Sequence, residues 1–348
     1  MVHPGHHAPV RDRAAKAFGP KCTFAVREFR PALRVPFGQS YIGIVKRVLV
    51  TGANGFVGRN AVPDLIRLGY EVHAVVWGDA PPPEAREGLH VHRCDFFDYP
   101  AQRELVQGVK PTHLLHFAWY AVHGKFWTSG ENLRWFDASV ELVTNFAAAG
   151  GKRAVLAGTC AEYDWTHGYC SESGTPVIPA TLYGSSKNSL RQMVEACAAR
   201  LGFSQAWGRI FLLYGPREDP ARLVPSIIRS LLRGEPARLT HGRQVRDFLH
   251  VTDVASAFVA LLDGEVQGPV NIASGQPVTI REVAEIIGEK IGRKDLLEFG
   301  AIPVSGTDPP VLVADVKRLK DEVKWKPERG LDDGLGQVVD WWKANLGG

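Results

Sequence analysis

From Val45 onward the chain alternates two kinds of pattern. Short apolar runs rich in β-branched residues, such as "KRVLV" and "EVHAVVW", are followed by longer stretches whose apolar positions recur at helical spacing, as in "NLRWFDASVELVTNFAAAGG". A fully apolar run of five or so residues predicts a strand buried on both faces, and helices between such strands predict a parallel sheet covered on both sides. The strands expected in order are "KRVLV", "EVHAVVW", "GLHVHRCDF", "THLLHFAW", "RAVLAGT" and "QAWGRIFLLYGP". After Tyr214 the regularity gives way to Pro-, Arg- and Gly-rich segments with shorter helices. The expected fold is therefore α/β, a doubly wound parallel Rossmann sheet over residues 45–214, with a smaller C-terminal substrate-binding lobe mainly from 215–348. Residues 246–263 are expected to return to the first domain.

Composition changes this picture at one place. The net charge is +4, but residues 1–44 hold seven Lys/Arg against Asp12 and Glu28, a local +5 that leaves −1 for the rest. Basicity therefore belongs to the extension and gives the folded body no nucleic-acid footprint. The extension has neither strand nor helix periodicity, and lacks the apolar stretch of a secretory signal. It reads as a disordered tail or as sequence upstream of the native start. No apolar run approaches the roughly 18–20 residues needed to span a bilayer. The five cysteines are scattered and their spacings suit no zinc site, as expected of a cytoplasmic protein with reduced thiols.

The first candidate site follows the first strand at once. In "TGANGFVG" the glycines Gly52, Gly55 and Gly58 open a helix, a pattern that makes a tight turn, close approach to a pyrophosphate and close helix–strand packing. The helix start, with Phe56, Val57 and Gly58, offers backbone N–H groups to phosphates. The end of the second strand reads "VVWGD", with no acid where a site for NAD places one on the ribose 2′-hydroxyl. Arg59 stands where it could meet a 2′-phosphate, which tilts the expectation from NAD toward NADP. Asp95, after the third strand, is a candidate for the adenine amine or a plain turn cap.

The second candidate is "YGSSK". In a helix Tyr183 and Lys187 share one face, about 5–6 Å apart at Cβ. A tyrosine of ordinary pKa near 10 needs about 4 kcal/mol of preference for its phenolate to reach neutrality, and an ammonium one turn away supplies part of it. Thr159, closing the fifth strand in "AGTC", is placed to hydrogen-bond the same substrate oxygen.

These motifs together resemble the extended short-chain dehydrogenase/reductase family of nucleotide-sugar epimerases, dehydratases and 4-ketoreductases. "VTGANGFVG" resembles its cofactor fingerprint, "HFAW" its strand-four motif, "RIFLLYGP" its strand-six pattern, and "RDFLHVTDVASAF" and "VNIASGQPVTI" its later segments. The resemblance implies hydride exchange between a nicotinamide and a sugar carbon, usually C4. Tyr183 would move the hydroxyl proton, Lys187 would hold the nicotinamide ribose and tune Tyr183, and Thr159 would orient the sugar oxygen. Arg246 would meet substrate phosphates, or else pair with Asp247 or Asp253. Arg217 and Val224, the latter in "RLVPSII", would also contact substrate. Departures narrow the reaction: in "TCAEY", Cys160 and Ala161 stand where dehydratases of the family carry an acid pair. The sequence thus predicts reduction of a nucleotide-activated 4-ketosugar, with a 4-epimerase retaining NAD as the alternative and a non-catalytic dinucleotide sensor more remote. Family members are often dimers through the Tyr–Lys helix, and "NSLRQMVEACAARLG" has apolar positions for either that interface or a core. Trp119 and Tyr120 face either the cleft or the core, and Glu162 has no sequence-level explanation.

Overall fold

Strand β1 (Arg47–Thr51) is buried on both faces and runs into the glycine turn, from which helix α1 (Gly58–Arg67) returns. This computed structural model describes residues 46–78 and 81–346. The extension over residues 1–44, and Asp79 at the end of "VVWGD", lie outside the described residues. The chain continues through β2 (Glu71–Val76), β3 (Leu89–Arg93), α2 (Tyr99–Val109), β4 (His113–His116), α3 (Glu131–Ala148) and β5 (Arg153–Thr159). Then follow β6 (Tyr169–Cys170), α4 (Leu182–Leu201), β7 (Ser204–Ile210), β8 (Leu212–Tyr214), α5 (Leu223–Leu232), β9 (Ala237–Leu239) and β10 (Val245–His250). The last elements are α6 (Val251–Asp263), β11 (Gly268–Ile272), β12 (Pro277–Thr279), α7 (Ile280–Ile291), β13 (Leu297–Phe299), β14 (Val311–Ala314), α8 (Lys317–Asp321) and α9 (Leu331–Asn345).

Seven strands form one parallel sheet in the order β11-β7-β5-β4-β1-β2-β3. Helices α1 and α6 cover one face, with Leu65, Val254 and Phe258 in the core beneath them. Helices α2, α3 and α4 cover the other, burying Val106, Leu142, Phe146, Leu190 and Val194. The fold is thus the expected doubly wound α/β sheet. Strand order reverses between β1 and β4, so the crevice outside their carboxyl ends is where such a sheet binds ligands.

Two differences from the sequence reading have local causes. "QAWGRIFLLYGP" is not one strand. It breaks at buried Phe211, whose N–H donates to Ile272 O at 3.2 Å, and β8 then leaves to pair with β10 in a second sheet. That sheet has the order β12-β10-β14-β6. The vacated place beside β7 is taken by β11, the "VNIA" segment, as the seventh strand. A third core, around Ile227, Ile287, Val338 and Trp342, is made by α5, α7 and α9.

Glycine is required at two points of the first turn. Gly52 has φ +66, where a Cβ is strained, and a Cβ on Gly58 would lie 2.2 Å from Gly52 O. Gly58→Ala should therefore force the turn open and destabilise the protein by about 1–3 kcal/mol, the usual range for overpacking. A urea-unfolding midpoint equal to wild type would contradict this.

Candidate active site

Five elements end at one cleft of about 1110 Å³. Gly52, Gly55, Phe56, Val57 and Gly58 form its wall after β1, and Phe117–Tyr120 line it after β4. Thr159 and Cys160 line it after β5, Tyr183 from the first turn of α4, and Val224 from α5. At one end lie Val75, Trp77, Phe96 and Trp135, and at the other Arg246, Asp308 and Leu312. The lining is mostly apolar and aromatic, with a few charged groups.

Thr159 is fixed from both sides. It caps the short 3-10 turn Cys160–Glu162, accepting from Ala161 N at 3.2 Å, while its own N–H donates to Glu162 Oε1 at 2.9 Å. This T-x-x-E capping box explains Glu162, whose carboxylate is wholly buried. Glu162 Oε1 also accepts from Trp207 Nε1, and Oε2 from Arg209 Nε, each at 2.8 Å. Arg209 Nη1 donates to Tyr163 OH, which donates to Asn271 Oδ1. Burial opposes the Arg209 charge, but Glu162 and Tyr163 more than offset it and the net shift is upward.

The glycine of "YGSSK" has a packing reason. A Cβ on Gly184 would lie 2.2 Å from Ala161 O, so only glycine lets α4 approach this turn so closely. That approach brings Tyr183 beside Thr159 on the cleft wall, near enough for the Thr159 hydroxyl to favour the phenolate. The Tyr183 ring packs edge-on against Phe126 at 4.9 Å and Trp127 at 5.8 Å. Lys187 lies behind this wall, 3% exposed, donating to Ala157 O at 2.9 Å and standing 3.9 Å above the Trp119 ring. Burial lowers the Lys187 ammonium to about 7. Burial also raises the Tyr183 phenol above its ordinary value, with the Thr159 hydroxyl pulling the other way. The lowering expected from Lys187 is thus not supplied by the protein alone, because desolvation outweighs every nearby charge.

Such a chain matches known proteins over most of its length. The model of the NAD dependent epimerase/dehydratase family covers residues 48–273. The chain belongs to that family. It is 26% identical over 326 residues to UDP-glucuronic acid decarboxylase 1 of Arabidopsis thaliana, spanning 90% of this chain and 73% of the relative. It is 28% identical over 246 residues to dTDP-6-deoxy-L-talose 4-dehydrogenase (NAD(+)) of Aggregatibacter actinomycetemcomitans, spanning 68% and 88%. Among solved structures, the UDP-glucose 4-epimerase of Thermus thermophilus, in complex with NAD, superimposes with a TM-score of 0.72 at 26% identity, covering 85% of this chain and 99% of that one.

Within this epimerase/dehydratase scaffold, some of the predicted residues line the cleft and others do not. Arg59 turns back onto its own turn, donating to Gly55 O and Asn54 O, and does not line the cleft. Asp95 is exposed and accepts from Phe97 N at 2.9 Å, the cap of a turn rather than part of the cleft wall. Arg217 has a left-handed backbone, φ 69, and is exposed outside the cleft lining. Arg246 lines the cleft, yet it pairs with Asp308 rather than Asp247 or Asp253. Asp247 is instead held by Ser274, Gly275 and Ala314, and Asp253 by Arg329. Cys160 is buried and its thiol is pushed up to about 12 by burial. Trp119 and Tyr120 both face the cleft.

The structure also places there residues that sequence reasoning missed. Phe126, Trp127 and Trp165 build an aromatic wall around Tyr183, the first two legible only as the aromatic pair of "KFW" in a loop. Arg222 lines the cleft without an ion-pair partner among the described residues. Glu218, next to outward-facing Arg217, is only 9% exposed, and its Oε2 has no protein partner. Burial raises its carboxyl to about 8.

The network behind Thr159 generates a direct test. Glu162→Ala leaves the Arg209 cation buried and unpaired, which should destabilise the protein by about 3–5 kcal/mol. Chemical denaturation reads this, and a loss under about 1 kcal/mol, typical of a surface pair, would refute the role assigned to Glu162.

Proposed function

We propose that the protein is a nicotinamide-dependent oxidoreductase that reduces the C4 ketone of a nucleotide-activated 4-ketosugar. The observation that carries this is the meeting of Tyr183 and Thr159 on the wall of the cleft opened by the glycine turn. A phenol held above its ordinary pKa is a proton donor at rest, which suits reduction of a ketone. Cys160, with its thiol near 12, and Ala161 bring no carboxylate to the position dehydration needs.

The trough fits a dinucleotide. Helix α1 starts without a side-chain cap or an acid in its first turn, so its amino end is open to phosphates. Gly52, Gly55, Phe56, Val57 and Gly58 would hold the pyrophosphate, and the pocket between Val75, Trp77, Phe96 and Trp135 would take the adenosine. NADP is favoured over NAD. The Val76–Gly78 stretch has no acid, while Arg93 donates to Gly78 O and Arg134 stacks 4.1 Å from the Phe97 ring, two cations at that end. When bound, the nicotinamide supplies the hydride. Tyr183 OH gives its proton to the ketone oxygen, and solvent returns one to the phenolate. Thr159 Oγ1 fixes that oxygen, and the Lys187 ammonium stabilises the phenolate from behind. Phe126, Trp127 and Trp165 flank the sugar ring and exclude water. Arg222 and Arg246 face the substrate diphosphate, with Val224 beside it. Leu133, Met193 and Leu201 leave apolar surface on the paired helices α3 and α4, which supports a homodimer through them.

The second reading is a nucleotide-sugar 4-epimerase that keeps its NAD, favoured by the epimerase relatives. Cofactor measurement on the purified protein separates the two. A reductase exchanges its dinucleotide and oxidises NAD(P)H in proportion to 4-ketosugar, whereas an epimerase carries it through purification. In either case Tyr183→Phe should lower kcat by about 10²–10⁴-fold, the usual contribution of a positioned acid or base. Full turnover in that variant would remove the catalytic assignment.

The shifts also set a pH dependence. Reduction needs the protonated phenol and the charged ammonium, so the rate falls as pH rises. Lys187, lowered to about 7 in the free enzyme, places the descending limb of kcat/KM just above neutrality. The limb of kcat, measured with cofactor bound, should lie higher. A kcat/KM for reduction that climbs between about pH 7 and 9 would contradict this.

A further inference from the structure

At the far end of the parallel sheet, β2 and edge strand β3 bring three histidines and a glutamate to one face. Glu71 and His73 are two residues apart on β2, and His90 stands opposite His73 in the ladder, with His92 two residues on. Period-2 alternation puts all four side chains on the same side. His73 Nε2 lies 3.0 Å from Glu71 Oε1, and His90 Nε2 lies 3.6 Å from the same oxygen. One ligand atom from each of Glu71, His73 and His90 falls within 4.8 Å of the other two. The rings of His73 and His90 stack at 4.8 Å with an interplanar angle of 19°.

We propose that Glu71, His73 and His90 form a binding site for a zinc-class divalent cation that clamps the edge strand to the sheet. Tetrahedral zinc, with bonds of about 2.0–2.1 Å, sets its donor atoms about 3.4 Å apart. The two measured separations bracket that value. Imidazole and carboxylate together suit zinc, nickel or copper over magnesium or calcium. Three protein ligands leave one position for water. The outer sphere is also in place: His73 Nδ1 lies 3.0 Å from His92 Nε2, so a metal on Nε2 fixes the tautomer in which Nδ1–H donates to His92. His73 is buried and oriented by β2, while His90 is half exposed and free to close on the ion.

The site is not part of the chemistry described above. It sits at the amino end of β2, whereas the cleft begins at Val75 and Trp77, about 13–20 Å from Glu71 along the strand. A cation there ties β3, the exposed edge, to its neighbour and stabilises the folded state by mass action.

The test uses the full chain, stripped with a chelator and titrated with zinc chloride, beside His90→Ala and His92→Phe. The chain also carries His3, His6 and His7, so the comparison rests on chains differing only in the substituted residue. Zinc at about 100 times its dissociation constant should raise the wild-type melting temperature by about 3–6 °C. His90→Ala should lose that rise and one bound equivalent in calorimetry, without lowering the metal-free melting temperature. His92→Phe should weaken binding about 10–100-fold. Turnover should stay unchanged in both variants. An equal rise in wild type and His90→Ala, or no rise with zinc in wild type, overturns the proposal.

Discussion

The Glu162–Arg209 ion pair is the contact on which the rest of the site depends. It lies wholly inside the protein and joins the turn after β5 to β7. Through Tyr163 and Asn271 it reaches Cys170 O on β6 and Asp315 O beside β14. A buried pair of this kind adds little net stability over an apolar core, but its charged groups are met by partners from several elements, so it admits one arrangement. That arrangement sets the height of Thr159, the path of Ala161 and hence the seat of α4. Tyr183 stands where it does because the turn beneath it cannot move.

The cleft above this network is more aromatic than its motifs suggest. Its charged groups are few and unequal: Arg246 is neutralised by Asp308, Arg222 is unpaired among the described residues, and Glu218 is held toward its neutral form. The same desolvation lowers Lys187 and raises Tyr183, pushing both toward their neutral forms. Protein alone therefore holds the pair at rest, and a charged nicotinamide alongside would shift it, since an opposite charge at close range favours the phenolate.

Much of this was legible along the chain because it depends on short-range order. The glycine turn, the buried strands and the i, i+4 spacing of Tyr183 and Lys187 follow from periodicity and from residues adjacent in sequence. The capping box of Thr159 and Glu162 was equally local, though its meaning required Arg209, far along the chain. Other residues took their places from local backbone geometry that no sequence pattern shows. Arg217 and Glu218 are neighbours, yet the arginine is exposed and the glutamate buried. Arg59 donates to two carbonyls of the glycine turn, and Asp95 accepts from Phe97 N as a turn cap.

Sequence by itself determined the class of fold and the places of the glycine turn and the Tyr183–Lys187 helix, because buried strands and helix starts write their periods and special residues locally. Tertiary structure alone decided which charges meet. Asp308 reaches Arg246 across 62 residues, Trp119 comes to lie under Lys187, and four side chains from β2 and β3 share one face. Such pairings depend on crossover topology and on the exclusion of water, and neither is encoded in any single stretch of chain.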